Sequence, residues 1–480
     1  MLSSTTSINS NSKPIKKYWV ASALFILLSI TLALRLYGIN WDQGGLFHPD
    51  ERAFLAQVNA ISVPDSGEWK SVFSSSSPLN PGSFNWGSFP HYLLKLTQYT
   101  ASPLVDWDIY DLRFPGRTLS ALADTLTVFL VFFLCRTCFS NRLGFVAAGF
   151  TALAVIHIQL SHFFAVDILV TTLILGTVIY SIRVAKGGTL IDSVITGVLF
   201  GLALSTKFSV APLIVPIFIA HFLQAFSRRG EIAYFVDWQS ENSKIRRLVA
   251  LRKLIASGLV ALITVAFVQP YMFFDFSTFL SNINEQSEMV RRIRDYPFTR
   301  QYIGTSKYWY QIWQVGFWGL GPALGLMAWL GLSVNIITTW FSHRKADIVI
   351  LSWVIPYLII TGWFEVKFMR YMLPLVPFLI FYGARLMLLI GELLVAVWPR
   401  RRFLMWIPVF VVLVFSTHYT ASFLAIYSDV HPATSASAWL SQNAPTGSRV
   451  VMEHWEEQIP RVPNVDHAHE RLEMYNPDSL

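Results

Sequence analysis

Phe47-His48-Pro49-Asp50-Glu51 sets two adjacent carboxylates beside an imidazole and a backbone stiffened by proline. Carboxylates at a low-dielectric edge hold their protons more tightly, which suits Asp50 or Glu51 to general-base work or to binding a divalent cation. The same residues also write a helix start, with Pro in the first turn and acids facing the helix dipole. Local sequence leaves both readings open. Asp167 ends Ser161-His162-Phe163-Phe164-Ala165-Val166-Asp167 at the top of an apolar run, where an ionised group needs water, a partner or a ligand. A helix N-cap is its competing reading. His48, His162 and His91, the last in Phe89-Pro90-His91-Tyr92-Leu93-Leu94, are the imidazoles within reach of substrate chemistry.

The cations of interest are Lys207 in Leu204-Ser205-Thr206-Lys207-Phe208, and Lys367 and Arg370-Tyr371 ahead of Leu373-Pro374. Positive groups on an outer membrane face run against the usual charge bias, so they suggest an anionic ligand such as a phosphate. Snorkelling to lipid headgroups is the alternative. Arg291, Arg292, Arg294, Arg300 and Lys307 form a further basic cluster, read as a solvated loop face before a carrier surface.

Elements that hold such residues must be membrane helices. The 480 residues are 54% hydrophobic, 15% aromatic and 14% charged, more apolar surface than a single soluble core can hide. The net charge of +8 sits in short clusters between apolar runs, where anionic lipid is the partner and nucleic acid is not. Cys135 and Cys138 are too few for a disulfide framework and half of a structural zinc site, and read as two thiols at a helix end.

Residues 1–17 read as a disordered cytoplasmic N-terminus and 18–425 as a membrane domain. Its apolar runs lie near 19–36, 118–139, 143–160, 168–182, 191–204, 210–226, 254–269, 312–341, 348–363, 371–397 and 403–425. With the N-terminus cytoplasmic, nineteen Lys and Arg fall on short inside segments and sixteen on much longer outside ones, with Arg35 and Arg385 left in spans. The long outside segments are then 38–117, whose composition suits interfacial helices, 270–311, and the tail 426–480. Ala436 to Leu440 reads as a helix, Pro445-Thr446-Gly447 as a turn and Arg449 to Met452 as a strand, an α/β start that is either an appendage or a truncated domain.

The ordered set of an acidic pair after the first span, His-Phe-x-x-x-Asp-x-Leu, Thr-Lys and Lys-Phe-x-Arg-Tyr-x-Leu-Pro resembles the GT-C glycosyltransferases. The branch it looks most similar to contains protein O-mannosyltransferases and aminoarabinose transferases (glycosyltransferase family 39-like). The likeness covers about 20–425, and Trp439-Leu440, Asn443, Pro445 and Gly447 are similar to the soluble segment of some bacterial members. Together with the apolar runs, the interfacial composition of 38–117 and the tail pattern, it leads to the expectation of an all-α polytopic membrane protein, a GT-C-type bundle of about eleven transmembrane helices with interfacial helices in the first outer loop and a short α/β tail. It also implies transfer of a sugar from a polyprenyl-phosphate carrier to a lipid, protein or polysaccharide acceptor on the extracytoplasmic face. In that reading Asp50 is the base with Glu51 beside it, and Asp167 positions the acceptor or a metal. Lys207, Arg370, Tyr371 and Lys367 face the carrier phosphate, and no metal or cofactor is assigned. Phe89-Pro90-His91-Tyr92 departs from the Pro-Pro-Leu-Tyr type run of relatives, which leaves the sugar and acceptor open. A secondary transporter or lipid flippase is the rival; it calls for ionisable residues at mid-span and discontinuous helices, and no repeat relates the two halves of the chain.

Overall fold

The first apolar run winds into α1 (Pro14–Leu36), so the expected disordered segment 1–17 overlaps a helix. Pro14 suits a first turn because its missing N–H has no helical partner there. The computed structural model describes residues 14–64, 69–105, 107–226, 243–445 and 448.

Next come α2 (Pro49–Ala60) and α3 (Ser88–Ala101), which pack at one end of the bundle, here called the site end. Then follow α4 (Arg113–Cys138), α5 (Asn141–Leu153), α6 (Val155–Ser161), α7 (Val166–Ala185), α8 (Leu190–Leu204), α9 (Ile214–Ala225) and α10 (Ser243–Val268). Two short helices at the site end, α11 (Tyr271–Phe274) and α12 (Phe276–Val290), lead through α13 (Trp309–Trp313) to α14 (Pro322–Ser342), α15 (Lys345–Trp363), α16 (Val376–Val397) and α17 (Ile407–Leu424). The last, α18 (Pro432–Asn443), extends the short helix expected at 436–440, while the expected strand at 449–452 lies outside the described residues. Among the described residues there is no strand.

Among the described residues nine helices are long and apolar enough to cross a membrane, or ten if α5 and α6, bent by 56°, count as one span. The expected count of about eleven is reached only with α8, whose 15 residues fall short by length. Ion pairs nevertheless tie α8 to both ends of α7. Arg183 meets Asp192 at 2.7 Å, and Lys207, just past α8, meets Asp167 at 2.7 Å at the start of α7. The two helices therefore run antiparallel over the same depth. The run expected at 312–341 is broken: a π turn at Gln314–Gly319 is followed by Gly321, whose φ of +80° only glycine adopts freely, and Pro322 restarts the helix as α14. Between Asp167 and Arg183, α7 carries no charged residue and is buried on nearly every face, which makes it the central post of the bundle.

Two devices seat the site-end layer. Leu46, Phe54, Leu55, Val58, Leu94 and Leu112 share one apolar cluster with Phe164 and Val166 at the head of α7. Gly87 N–H donates to Thr206 O at 3.0 Å and Phe89 N–H to Ser205 O at 2.9 Å, so the strap before α3 lies against the chain that carries Lys207. A Cβ at Gly87 would stand 1.9 Å from Ser205 O, so this approach requires glycine.

Candidate active site at the end of the bundle

Asp50 sits in the first turn of α2, started by Pro49 and capped by His48, whose Nδ1 accepts the Glu51 N–H at 3.2 Å. Asp50 Oδ2 pairs with Arg370 Nη1 at 2.7 Å, and each side chain keeps about a fifth of its surface exposed, 23% and 22%. Arg370 lies in the 3₁₀ turn Met369–Leu375 ahead of α16. Asp167, in the first turn of α7, is buried and pairs with Lys207 Nζ at 2.7 Å. The Lys207 ammonium also stands 5.1 Å from the centre of the Tyr371 ring, which joins the two ion pairs into one cluster. Two acids, two cations and a tyrosine from four separate stretches thus meet at the site end.

Glu51 is corrected by the structure. Successive helix residues are about 100° apart, so its carboxylate faces the bundle while that of Asp50 faces the cluster. It is fully buried, bonded to Arg117 at 2.6 and 3.0 Å, and accepts the Phe164 N–H at 2.8 Å. Arg117 also grips Asp42 at 2.7 and 3.1 Å. Burial and the nearby Asp42 charge push the Glu51 carboxyl upward against the pull of Arg117. Burial likewise raises Asp42, but its bonds to Arg117 and to the Gly44 N–H outweigh this and leave it below the usual carboxylate range. Glu51 is a positioning residue: it ties α2 to α4 and to the head of α7. Arg117 and Asp42 were not singled out in the sequence. The available signal was an arginine at the mouth of an apolar run.

The three histidines separate. His48 stacks on Phe163 at 3.7 Å, and burial, helped by Arg370, holds its pKa near 4, so it stays neutral. His91 is fully buried, with ring nitrogens facing Gly87 O at 3.1 Å and Gln57 Oε1 at 2.8 Å, and burial holds it near 4 as well. His162 is equally buried; its nitrogens face Ile158 O at 2.7 Å and Tyr37 O at 2.8 Å, and Tyr427 stacks on it at 3.9 Å. His91 and His162 therefore knit the scaffold and have no free edge for substrate. Lys367 also turns away from the cluster: buried, it donates to Thr305 Oγ1 at 3.1 Å and Glu365 O at 3.0 Å, and burial lowers its pKa. Arg292 and Arg300 pair with Asp295 on their own loop, Arg294 with Glu285 of α12, and Lys307 with Glu365 just past α15, all with partly exposed side chains, in keeping with a solvated face.

Two cavities flank the cluster. One, of about 280 Å³, is walled by Trp86, Phe208, Phe279, Tyr357 and Phe364 and reaches Lys207 and Tyr371. The other, of about 410 Å³, is lined by Trp41, Phe47, His48, Gln159, Tyr427 and His431. No group of three or more His, Cys, Asp or Glu among the described residues could hold a metal ion. Asp50 and Asp167 are each engaged by a side-chain cation, so the donor set does not fit a resident metal.

Within the bundle, Asp124 of α4 lies fully buried between Arg35, in the last turn of α1, at 2.8 Å and His157 at 2.6 Å. Arg35 also donates to Ala152 O at 2.7 Å and Thr151 O at 3.3 Å. This triad pins α1, α4 and α6 together with its charges matched inside the protein.

The model of the family described as dolichyl-phosphate-mannose-protein mannosyltransferase matches residues 109–237, a stretch that carries Arg117, Asp167 and Lys207. No curated protein matches the chain. Among solved structures it is similar to the archaeal oligosaccharyltransferase AglB from Archaeoglobus fulgidus, in complex with an inhibitory peptide and a dolichol-phosphate. The identity is 15% and the TM-score 0.55, over 90% of this chain and 59% of that one, so this chain spans less than two thirds of AglB. It is also similar to ArnT from Cupriavidus metallidurans in the apo state, at 14% identity and TM-score 0.53 over 93% of this chain and 84% of that one. The likeness to ArnT bound to undecaprenyl phosphate is 13% identity and TM-score 0.50, over 94% and 84%.

Proposed function

We infer that this chain, whose fold is that of the GT-C superfamily, is a membrane glycosyltransferase. It moves a sugar from a polyprenyl-phosphate carrier to an acceptor on the extracytoplasmic face. The observation that carries this reading is the pairing of Asp50 with Arg370 and of Asp167 with Lys207, between an apolar-walled cavity and an aromatic one.

A carrier-linked sugar is a phosphodiester with one negative charge, and its departing phosphate gains a second as the glycosidic bond breaks. Two cations at the membrane edge match that growth of charge. An arriving phosphate competes with the carboxylates for Lys207 and Arg370, and Arg370 leaving Asp50 frees the base. The Asp50 carboxylate then takes the proton of the acceptor hydroxyl, whose oxygen forms the new bond to the anomeric carbon. The bond from that carbon to the phosphate oxygen breaks, and its electron pair stays on the phosphate held by Lys207 and Arg370. Asp167 holds Lys207 in place before the carrier arrives. The 280 Å³ cavity beside Lys207 suits the first prenyl units, and the aromatic cavity beside His48 suits the acceptor.

The test is a transfer assay with detergent-purified protein, a polyprenyl-phosphate sugar and membrane lipids, read by product mass. A transporter has no second compartment in detergent and makes no product there. Asp124 is paired with Arg35 and His157 inside the bundle, so this buried charge is used to hold helices together.

A further inference from the structure

A third cavity, of about 450 Å³, lies at the end of the bundle opposite the acid and cation cluster. It opens where α4 turns into α5 and α14 into α15, and Phe139, Ser140, Asn335, Arg344, Arg385 and Leu389 line it. The guanidinium of Arg385 stands 4.5 Å and that of Arg344 5.7 Å from the centre of the same Phe139 ring. Both are thus held at one side chain. Arg385 spends only Nη1 on buried Asp347, in two contacts of 2.9 Å, which leaves Nη2 and Nε outside that pair. Arg344 is exposed and pairs with no carboxylate among the described residues. Glu392 also lines the cavity, exposed on α16.

We propose that this cavity is a binding site for an anionic membrane phospholipid, with its phosphate between Arg344 and Arg385. Two guanidinium groups beside one ring repel each other, and Asp347 balances only one of them. A phosphate oxygen pair accepts from both forks, geometry that a lysine pair would not offer. The remaining wall, with Leu143, Val334, Leu386 and Leu388, is apolar and fits the glycerol backbone and upper acyl chain. Position agrees with charge. The cavity sits at helix ends, where headgroups lie, beside the exposed basic residues Arg136 and Arg142.

The test is native mass spectrometry of the full chain titrated with phosphatidylglycerol and with phosphatidylcholine. Wild type is expected to retain phosphatidylglycerol about tenfold more tightly, the value of one charge-assisted pair. Arg344→Ala, which strands no partner, should reduce that preference to about threefold or less, and Arg344→Lys should restore part of it. Arg142→Ala removes a neighbouring charge that does not line the cavity and should leave the preference intact. Inorganic phosphate at about 10 mM should not displace the lipid, since it lacks the apolar contacts. Equal retention of the two lipids, an unchanged preference in Arg344→Ala, or displacement by phosphate alone would each overturn the proposal, the last by showing a site for a free anion.

Discussion

Asp50 is tied to Arg370 at 2.7 Å before any substrate arrives, so replacing it changes two things at once. Asp50→Asn removes the proposed base and should lower turnover by about 10²-fold or more. It also removes the counter-ion of Arg370, so carrier affinity should hold or tighten; single-turnover transfer and carrier binding, measured separately, check both halves. Lys207→Ala should weaken carrier binding about tenfold, and here the fold is affected as well, because Asp167 is 3% exposed and loses its partner. A stranded buried carboxylate costs about 3 kcal/mol. Lys207→Ala with Asp167→Asn should recover most of that melting temperature and none of the binding. If the single and double variants melt alike, the pair is not a buried ion pair. Asp50, Asp167, Lys207 and Arg370 were legible because ionisable groups beside apolar runs need a reason to be there. Glu51 misled because adjacency in sequence says nothing of helix face, and the partnership of Arg117 with Asp42 and Glu51 exists only after folding.

At the scale of elements, α2 carries the proposed base Asp50, and its anchor is the bond of Glu51 to Arg117 and the Phe164 N–H. Glu51→Gln should lower stability by about 2 kcal/mol or more, as expected for breaking a buried pair from one side. Transfer should fall with it, since the base is displaced, whereas Asp50→Asn should leave the melting temperature close to wild type. A melting temperature unchanged in Glu51→Gln would show that α2 is held by its apolar face alone. The contact of α2 with α3 carries a pH dependence of known sign. His91 stacks on Phe54 at 3.8 Å and is held neutral with a pKa of about 4, below the 6.5 of the unfolded chain. Between those values the unfolded state binds more protons, so stability is full above about pH 6.5 and falls as pH drops toward 4. Denaturation midpoints at pH 7.5, 5.5 and 4.5 should show this loss, and His91→Gln should make it shallower; an equal slope in the variant would remove His91 as its source. Apolar runs were enough to read these helices, but not their ends. The break at Gly321-Pro322 inside the run 312–341 and the short α8 depend on local turn chemistry and on ion pairs made across the bundle.

At the scale of the molecule, the proposed function requires the site end of the bundle to face outward, and the density of Lys and Arg supports that orientation. Cysteines introduced at Ser75 and Ser441 should react with a membrane-impermeant thiol reagent in intact cells, and one at Ser243, at the start of α10, should not. Labelling of Ser243 with protection of Ser75 would put the acid and cation cluster in the cytoplasm. The bundle itself was readable from composition and apolar spacing, whereas the convergence of 50, 167, 207 and 370 on one cluster is a product of helix packing that no local pattern contains. The measurement that bears most directly on the account is sugar transfer from a polyprenyl-phosphate donor by the purified protein, comparing wild type with Asp50→Asn and with Asp50→Asn plus Asp167→Asn. The expected result is a product one sugar heavier than the acceptor for wild type, reduced by about 10²-fold or more in the single variant and further in the double. Full transfer with both acids neutralised, or no transfer by wild type with any carrier-linked sugar, would contradict it.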